Sequence, residues 1–387
     1  MSIKPFHLLI PAAGIGARLG SDVPKQYQKI NGKAVLRHTI DKFLNIEGLE
    51  SVKVVINPDH KDFYDEAVEG LNLDEPMFGS NSRKISVYNG LKGFLNPLPE
   101  EIILIHDAAR PLVCKEDILK LLKTMADHRA ATLAIPVSDT LVRYDEPVNR
   151  EDLWALQTPQ AFHLQSLIET HEKFANDDSF TDDSGLMRAA GHHIEIVPAS
   201  RENIKITSIE DMKMAEKLMN SQMETRTAFG FDVHAFEKTP SERKLMLGGV
   251  DIPNNSALVG HSDADVVLHA ITDAILGSIN DGDIGTHFPP SDPQWKEADS
   301  ALFLKASMKK LNDKNGLFKF VDVTILCEEP KIGPHRDCIQ KRISEILDVS
   351  RKRISIKATT TEGLGFTGRK EGIACQAAVT VLLPQEK

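Results

Sequence analysis

The chain has 387 residues, of which 41% are hydrophobic and 26% charged, with a formal net charge of −10 at pH 7. That length predicts two or three soluble globular domains, and the acidic balance excludes wholesale binding to nucleic acid or to an anionic membrane. No apolar run approaches the ~20 residues that span a bilayer and no signal-peptide pattern opens the chain, so a cytoplasmic location is expected. The four cysteines, Cys114, Cys327, Cys338 and Cys375, show no CxxC pairing and read as reduced, buried thiols.

From Phe6 to about Met219, short apolar runs alternate with amphipathic segments. The runs predict strands at His7–Ala12, Val52–Asn57, Ile102–His106, Thr132–Val137 and Ile194–Pro198. Between them the periodicity predicts helices at Val35–Leu44, Ser86–Leu95, Glu116–His128 and Leu164–Phe174. This alternation implies a mostly parallel sheet covered on both faces. Ile209–Met219 predicts a terminal helix, followed by a polar stretch without proline or glycine. The expected division is therefore 1–220, a short linker at 221–226, and 227–387. Beyond it, helices are predicted at Ala264–Ile279, Asp299–Leu311 and Arg336–Leu347, and strands at Phe318–Cys327, Ile354–Ala358 and Ile373–Leu383. These give a smaller α+β or α/β domain.

Gly14-Ile-Gly16 directly follows the first strand, where glycines let backbone N–H groups approach a phosphate and the small Ala12-Ala13 pair keeps the turn open. The spacing is one residue off the dinucleotide fingerprint, and Asp41 falls inside a helix rather than at the end of a second strand, which weakens a dehydrogenase reading. Arg18 and Lys25 near the loop favour transfer at phosphorus, which needs cations aimed at spreading charge. Asp107 stands at a strand's carboxyl edge, where a carboxylate can hold Mg²⁺ between phosphate oxygens, and Arg110 follows three residues on. Lys205 sits in a β-like run, an unusual place for unpaired charge.

The motifs Pro11-Ala-Ala-Gly-x-Gly-x-Arg18, Pro24-Lys-Gln26, Arg83-x-x-Ser86, His106-Asp-Ala-Ala-Arg-Pro111, Thr158-Pro-Gln160 and Asn203-Ile-Lys205 resemble those of the 2-C-methyl-D-erythritol 4-phosphate cytidylyltransferase family. The resemblance implies a Rossmann-like nucleotidyltransferase sheet with helices on both faces. It also implies CTP as a substrate, with release of pyrophosphate. Arg18, Lys25 and Lys205 would then stabilise the pentavalent transition state, and Asp107 would bind Mg²⁺. Ala12, Ala13, Gly14, Gly16, Arg83 and Ser86 would surround CTP. Thr140 and Arg150 would grip the methylerythritol phosphate, Arg150 across a dimer interface. The chain departs from the family at Gly79-Ser80, where two glycines are usual and a serine still presents its backbone N–H.

Near residue 230 the vocabulary changes to carboxylates and histidines. Residues i and i+2 of a strand share a face, so Asp232 and His234 can grip one metal. His269, on a helix, is the third expected ligand, a donor set that suits Zn²⁺ with one position left for substrate. Asp265, one turn earlier on that helix, would orient the imidazole. His287 and His335 read as ordinary hydrogen-bonded residues.

Gly230-Phe-Asp-Val-His234, His261-Ser-Asp-x-Asp265-x-x-x-His269, Gly282-Asp-Ile-Gly285 and the run from Lys357 through Glu362, Phe366 and Arg369 to Ala374 resemble the 2-C-methyl-D-erythritol 2,4-cyclodiphosphate synthase family. The resemblance implies an α+β domain of that type, which closes a cyclodiphosphate and expels CMP. Zn²⁺ or another divalent ion would sit on Asp232, His234 and His269, and a Mg²⁺ would lie near Glu362, which is assigned a catalytic role. Asp283 and Gly285 would hold the ribose, and His261 and Ser262 would hold the methylerythritol phosphate. Thr359 and Thr360 would enclose cytosine and phosphates, with Phe366 and Arg369 of the same run also binding substrate. A departure at Cys327-Glu328-Glu329 falls beside the expected cytidine contacts.

Together the two resemblances imply a bifunctional enzyme of isoprenoid-precursor synthesis acting on small phosphate substrates. An alternative is a nucleotidyltransferase for another sugar or alcohol phosphate joined to a zinc phosphohydrolase. By analogy the first part would dimerise and the second trimerise, closing as a hexamer. The two reactions flank a kinase step, so association with that kinase is a further expectation.

Overall fold

The computed structural model describes residues 3–14, 23–80, 82–94, 98, 100–177, 179–239 and 242–385. The chain divides into two compact units, Met1–Met219 and Asn220–Lys387.

The first unit is built on seven strands: β1 (Phe6–Ala12), β2 (Leu49–Ile56), β3 (Met77–Phe78), β4 (Ile102–Ile105), β5 (Ala130–Pro136), β6 (Trp154–His163) and β7 (Glu195–Pro198). Their order across the sheet is β7-β5-β6-β4-β1-β2-β3. All neighbours pair in parallel except β6, which runs antiparallel to both β4 and β5.

Alternation along the strands sends side chains to opposite faces, and both faces are covered. Leu8, Ile10, Val54 and Leu104 pack with Leu36, Ile40 and Phe43 of the segment around α1 (Val35–Asp41). Leu9, Val55, Ile103 and Ile105 pack on the other face with Val87 and Leu91 of α2 (Arg83–Leu91) and with Leu164 and Leu167 of α3 (Leu164–Lys173). Near-continuous apolar strands are what a sheet buried on both sides requires.

The ten-residue β6, central in the sheet, is the largest departure from the sequence expectation. Its sequence, WALQTPQAFH, carries Gln157, Pro159 and Gln160 where a buried strand would be apolar, and a proline cannot donate to a ladder. The pairing with β5 breaks between Leu156 and Gln160. Pro159 sits within that irregularity, where no ladder bond is asked of it.

In the second unit, β8 (Met223–Ala235), β9 (Leu317–Leu326), β10 (Ile354–Thr359) and β11 (Gly372–Pro384) form a sheet of order β8-β11-β9-β10. One face packs on α4 (Val266–Ser278), α5 (Ala301–Asp313) and α6 (Arg336–Leu347) through Val323, Ile325, Ile356, Cys375, Ala377 and Val379 against Ile271, Ile275, Leu304, Ile339 and Ile343. The stretch 221–226, expected as a linker, is instead ordered. The terminal helix of the first part runs Ile209–Ser221, and residues 223–226 already belong to β8, paired with Val381 through Pro384 of β11.

Gly230 is the contact that lets α4 lie on β8, because a Cβ there would sit 1.9 Å from the Ala270 carbonyl oxygen. Gly230→Ala is therefore expected to destabilise the second unit by roughly 3 kcal/mol, at the upper end of overpacking costs. A urea unfolding midpoint left unchanged would contradict that packing argument.

Two cysteines are buried as expected, Cys327 and Cys375, whereas Cys338 is exposed and Cys114 only half-buried. Cys338 lies on α6 among charged neighbours, on the face turned away from Ile339 and Ile343.

Candidate functional site

The first unit carries a cleft of 270 Å³ at the carboxyl edge of β1 and β4, lined among others by Ala12, Ala13, Gly14, Lys25, Arg83, Ser86, Asp107 and Lys205. Gly16 and Arg18 lie outside the described residues. Gln26 pins the start of the loop, donating from Nε2 to the carbonyls of Ala12 (2.7 Å) and Gly14 (2.9 Å). Lys25 donates to the Ile206 carbonyl at 3.1 Å, beside Lys205.

Asp107 is the electrostatic centre of the cleft. Its carboxylate lies 2.8 Å from Lys205 Nζ, 3.5 Å from Arg110 Nε and 3.8 Å from Arg83 Nε. Burial alone would raise its pKa, but Arg83, Lys205 and Arg110 together hold it well below the usual carboxylate range. Arg83 is held from behind by Asp183 at 2.7 Å, and Asp183 also meets His171 Nε2 at 3.0 Å.

Polar residues of the β6 irregularity support this centre. Thr158 Oγ1 accepts from the Asp107 amide at 3.0 Å and lies 3.2 Å from His106 Nδ1. His106 Nε2 is 3.1 Å from the Arg110 carbonyl and must donate to it. Nδ1 of the neutral ring then accepts from Thr158. Asn203 donates to Gln157 and to the Thr158 carbonyl, both at 2.9 Å.

His106 is fully buried, and burial pushes its pKa down to about 4 despite the hydrogen bond to Arg110. A folded-state pKa below the ordinary ~6.5 means that its stabilising contribution is complete above that pH and is lost as pH falls through 4. Roughly 3 kcal/mol is at stake. His106→Asn should lower stability at pH 7 and flatten its dependence between pH 6.5 and 4, as read by urea unfolding. A slope equal to the parent's would contradict the assignment.

Ser86 Oγ shares its one proton between the carbonyls of Ser82 (2.8 Å) and Ser80 (3.1 Å), and accepts from the Ser80 amide at 3.0 Å. The Ser80 N–H, expected to face a nucleotide, is thus engaged by Ser86. Thr140 and Arg150 do not line the cleft. They flank a two-stranded hairpin, Leu141–Arg143 with Glu146–Val148, exposed over nearly its whole length.

In the second unit, Asp232 and His234 project from β8 toward α4, which supplies His269. Asp232 Oδ2 lies 2.9 Å from His269 Nδ1 and 3.1 Å from His234 Nε2, and the two nitrogens are 3.3 Å apart. A tetrahedral zinc with bonds of ~2.1 Å needs donors separated by about 3.4 Å, so the triad fits such an ion. His234 Nδ1 is committed to the Val259 carbonyl at 2.7 Å, which leaves Nε2 as the ligating atom. Burial opposes ionisation of Asp232, but the adjoining His234 and His269 imidazoles hold its pKa well below the usual range.

Asp265 does not orient His269. Its carboxylate caps α4, accepting from the amides of Val267 and Leu268 at 3.1 Å, and it fastens the Gly248 and Gly249 amides at 2.8 and 2.6 Å. His269 Nε2 faces Ser300 Oγ at 2.9 Å and Ser262 Oγ at 3.2 Å, and the Ser300 hydroxyl in turn donates to Asp263. Ser262, expected to touch substrate, is buried against the imidazole. Ser300 has no motif to announce it; only the preceding loop brings it within reach of α4. Asp273, one turn beyond His269, accepts from the Ile284 amide at 2.7 Å, and its pKa is raised by burial and by Asp283 and Asp232.

The remaining expected residues lie on turns and at the ends of short elements, most of them exposed. Asp283 caps the helical turn that contains Gly285, accepting from the Thr286 amide and hydroxyl at 2.8 Å. His261 is exposed and its carbonyl accepts from Glu297. Glu362, at φ 53°, accepts from Thr360 Oγ1, and Thr359 Oγ1 donates to the Thr360 carbonyl at 3.2 Å. Phe366 is exposed, and Arg369 forms a two-pronged pair with Glu371 at 2.9 and 3.0 Å. At the Cys327-Glu328-Glu329 departure, Glu328 accepts from the amides of Thr361 (3.1 Å) and Gly363 (3.3 Å), so the acidic residue braces the Glu362 turn.

Comparison with known proteins agrees with the division into two sites. The family model of 2-C-methyl-D-erythritol 4-phosphate cytidylyltransferase matches residues 6–221, and that of the YgbB family matches residues 225–382. The bifunctional enzyme IspD/IspF of Paramagnetospirillum magneticum is 44% identical over 383 residues, covering 98% of this chain and 99% of its own. That of Rhizorhabdus wittichii is 46% identical over 389 residues, covering 99% and 100%. The crystal structure of 4-diphosphocytidyl-2C-methyl-D-erythritol synthase from Anaerococcus prevotii is 27% identical with a TM-score of 0.50, covering 56% of this chain and 99% of that one. With these relatives matched from end to end, the chain belongs to the family of bifunctional IspD/IspF enzymes of the non-mevalonate isoprenoid pathway.

Proposed function

We propose that each unit performs one phosphorus-transfer reaction on a small phosphate substrate. In the first, an oxygen of 2-C-methyl-D-erythritol 4-phosphate attacks the α-phosphorus of CTP. The α–β anhydride bond breaks and pyrophosphate leaves. Lys25 and Lys205 face the cleft where charge spreads over the equatorial and leaving oxygens, and Arg18 is proposed to join them. Ala12, Ala13 and Gly14 leave room for the nucleotide phosphates, with Gly16 continuing the loop, while Arg83 and Ser86 border them.

A single carboxylate shared among three cations suits an ion that arrives bound to phosphates, which is the habit of Mg²⁺. Asp107 would hold it, and the metal would neutralise charge on the transferred group. Thr140 and Arg150 act on the acceptor phosphate from the hairpin of a second copy.

In the second unit, an oxygen of the 2-phosphate of 4-diphosphocytidyl-2-C-methyl-D-erythritol 2-phosphate attacks the β-phosphorus. The bond to CMP breaks and an eight-membered ring closes. The observation that carries this reading is the Asp232–His234–His269 triad, whose donors converge within 3.3 Å of one another. Zn²⁺ bound there would act as Lewis acid and template for phosphate oxygens, with Mg²⁺ assigned near Glu362. Ser262 and Ser300 fix the His269 tautomer. His261, Asp283, Gly285, Thr359, Thr360, Phe366 and Arg369 enclose the two ends of the substrate, which supplies proximity.

Exposed apolar surface supports self-association. Phe229 (67% exposed), Phe231 (61%) and Val233 (44%) line the open face of β8, while Tyr144 (94%) tips the hairpin. A dimer through the first unit and a trimer through the second close as a hexamer, which mass measurement in solution tests. No helix among the described residues is long and apolar enough to cross a membrane, and we place the enzyme in the cytoplasm. Association with the intervening kinase is tested by pull-down.

The decisive experiment incubates the chain with CTP, Mg²⁺ and methylerythritol phosphate, and separately with the phosphorylated CDP-alcohol, following pyrophosphate and CMP. Equal transfer from UTP or GTP would favour another sugar- or alcohol-phosphate substrate. Hydrolysis without a cyclic product would favour a zinc phosphohydrolase.

A further inference from the structure

A second group of metal-type donors lies on the first unit, remote from the Asp107 cleft. His128 follows the helix Lys115–Thr124, and its amide donates to the Thr124 carbonyl at 3.2 Å. His193 and Glu195 stand two apart at the start of β7, so an extended chain turns them to one side. β7 pairs in parallel with β5, Glu195 opposite Ala131, which brings His128 alongside.

The donor atoms meet. Glu195 Oε2 lies 3.2 Å from His193 Nε2 and 3.7 Å from His128 Nδ1, and all three donors fall within 4.8 Å of one another. The same test applied to the Asp232 triad gives separations of 2.9, 3.1 and 3.3 Å. Two edges of the surface group are thus within half an ångström of the ~3.4 Å that a tetrahedral ion requires. Closing the third asks only for a rotation of His193, whose side chain is 79% exposed. Among the described residues, Glu195 has no lysine or arginine within ion-pair distance, so its charge is available to a cation.

We infer that His128, His193 and Glu195 form a second divalent-metal site, for a borderline ion of the zinc class. Two imidazoles and a carboxylate are a donor set that suits zinc and the transition metals better than Mg²⁺ or Ca²⁺. Its place also decides what it can do. β4 and β5 both run antiparallel to β6 and so run the same way. Asp107 follows the carboxyl end of β4, whereas the new group sits at the amino ends of β5 and β7. An ion there cannot touch the nucleotide. It clips β5, β7 and the end of the preceding helix together, which would stabilise the unit without altering its chemistry.

Equilibrium dialysis of the full chain against micromolar Zn²⁺, with metal counted per chain, tests this. Two equivalents are expected for the parent protein, and one each for His193→Ala, His128→Ala and Asp232→Ala. Zinc should raise the unfolding temperature of the first unit in the parent and in Asp232→Ala, but not in His193→Ala. Pyrophosphate release by His193→Ala should match the parent. The inference is overturned if the parent takes up one equivalent only, or if His193→Ala and His128→Ala retain two.

Discussion

Asp232→Ala is expected to strip the divalent ion from the second unit and to lower CMP release roughly 10³-fold or more, while pyrophosphate release from CTP continues at the parent rate. The size follows from what the triad supplies. A Lewis-acidic ion contributes several kcal/mol of charge stabilisation when two anionic groups must meet, and each ~1.4 kcal/mol is tenfold in rate. Asp232 is the only carboxylate of the triad, and it touches both imidazoles, at 2.9 and 3.1 Å. Removing it leaves two neutral ligands. Asp232→Asn keeps the shape and discards the charge, so loss of metal in both variants locates the effect in electrostatics. A metal-free Asp232→Ala protein that still released CMP at the parent rate would refute the assignment. Independence of the two activities in one variant would show, in addition, that each unit works without an intact neighbour.

Asp107→Ala should have the largest effect on the first unit. Arg83, Arg110 and Lys205 converge on this carboxylate, and without it they repel one another. Breaking a largely buried pair costs about 3 kcal/mol, most of it from Arg110 and Arg83, since Lys205 is partly solvated. Pyrophosphate release should fall by roughly 10²–10³-fold, the cost of losing one preorganised charge at a transferring phosphorus. Asp107→Asn retains an acceptor for Lys205 and should recover part of the lost thermal stability without recovering the rate. Recovery of both would mean that Asp107 acts by packing alone.

Much of this architecture was legible in the residues. The alternation of apolar runs with 3.6-period segments located β1, β2, β4, β5 and β7 and most of the helices, because strands buried on both faces must be continuously apolar. The Asp232/His234 pair was legible for a similar reason. A two-residue period on a strand and a histidine on an apolar helix are local facts, and they remain true wherever the chain goes. β6 was not legible, because its glutamines and proline break the pattern that identifies a strand. Those residues are there because the strand's irregularity serves the site. Gln157 and Thr158 hold Asn203 and the Asp107 backbone, and Gln160 donates to Asp182, which caps the helix carrying Asp183.

The assignment of Asp265 shows the opposite failure. Helical spacing put it on the same side as His269, but a carboxylate at a helix N-terminus finds backbone amides nearer than an imidazole one turn away. Ser300 took the orienting role from a distant segment, as no periodicity could foretell.

The sequence by itself determined the two fold classes and put forward the candidate residues of each site, since hydrophobic period and motif spacing are local. Only the tertiary structure decided which groups share a hydrogen bond: the Asp107 cluster with its support from β6, the Ser262 and Ser300 contacts on His269, and the meeting of His128 with Glu195. Those pairings join segments far apart in the chain, and their distances are set by strand register and by close approaches such as Gly230 against Ala270.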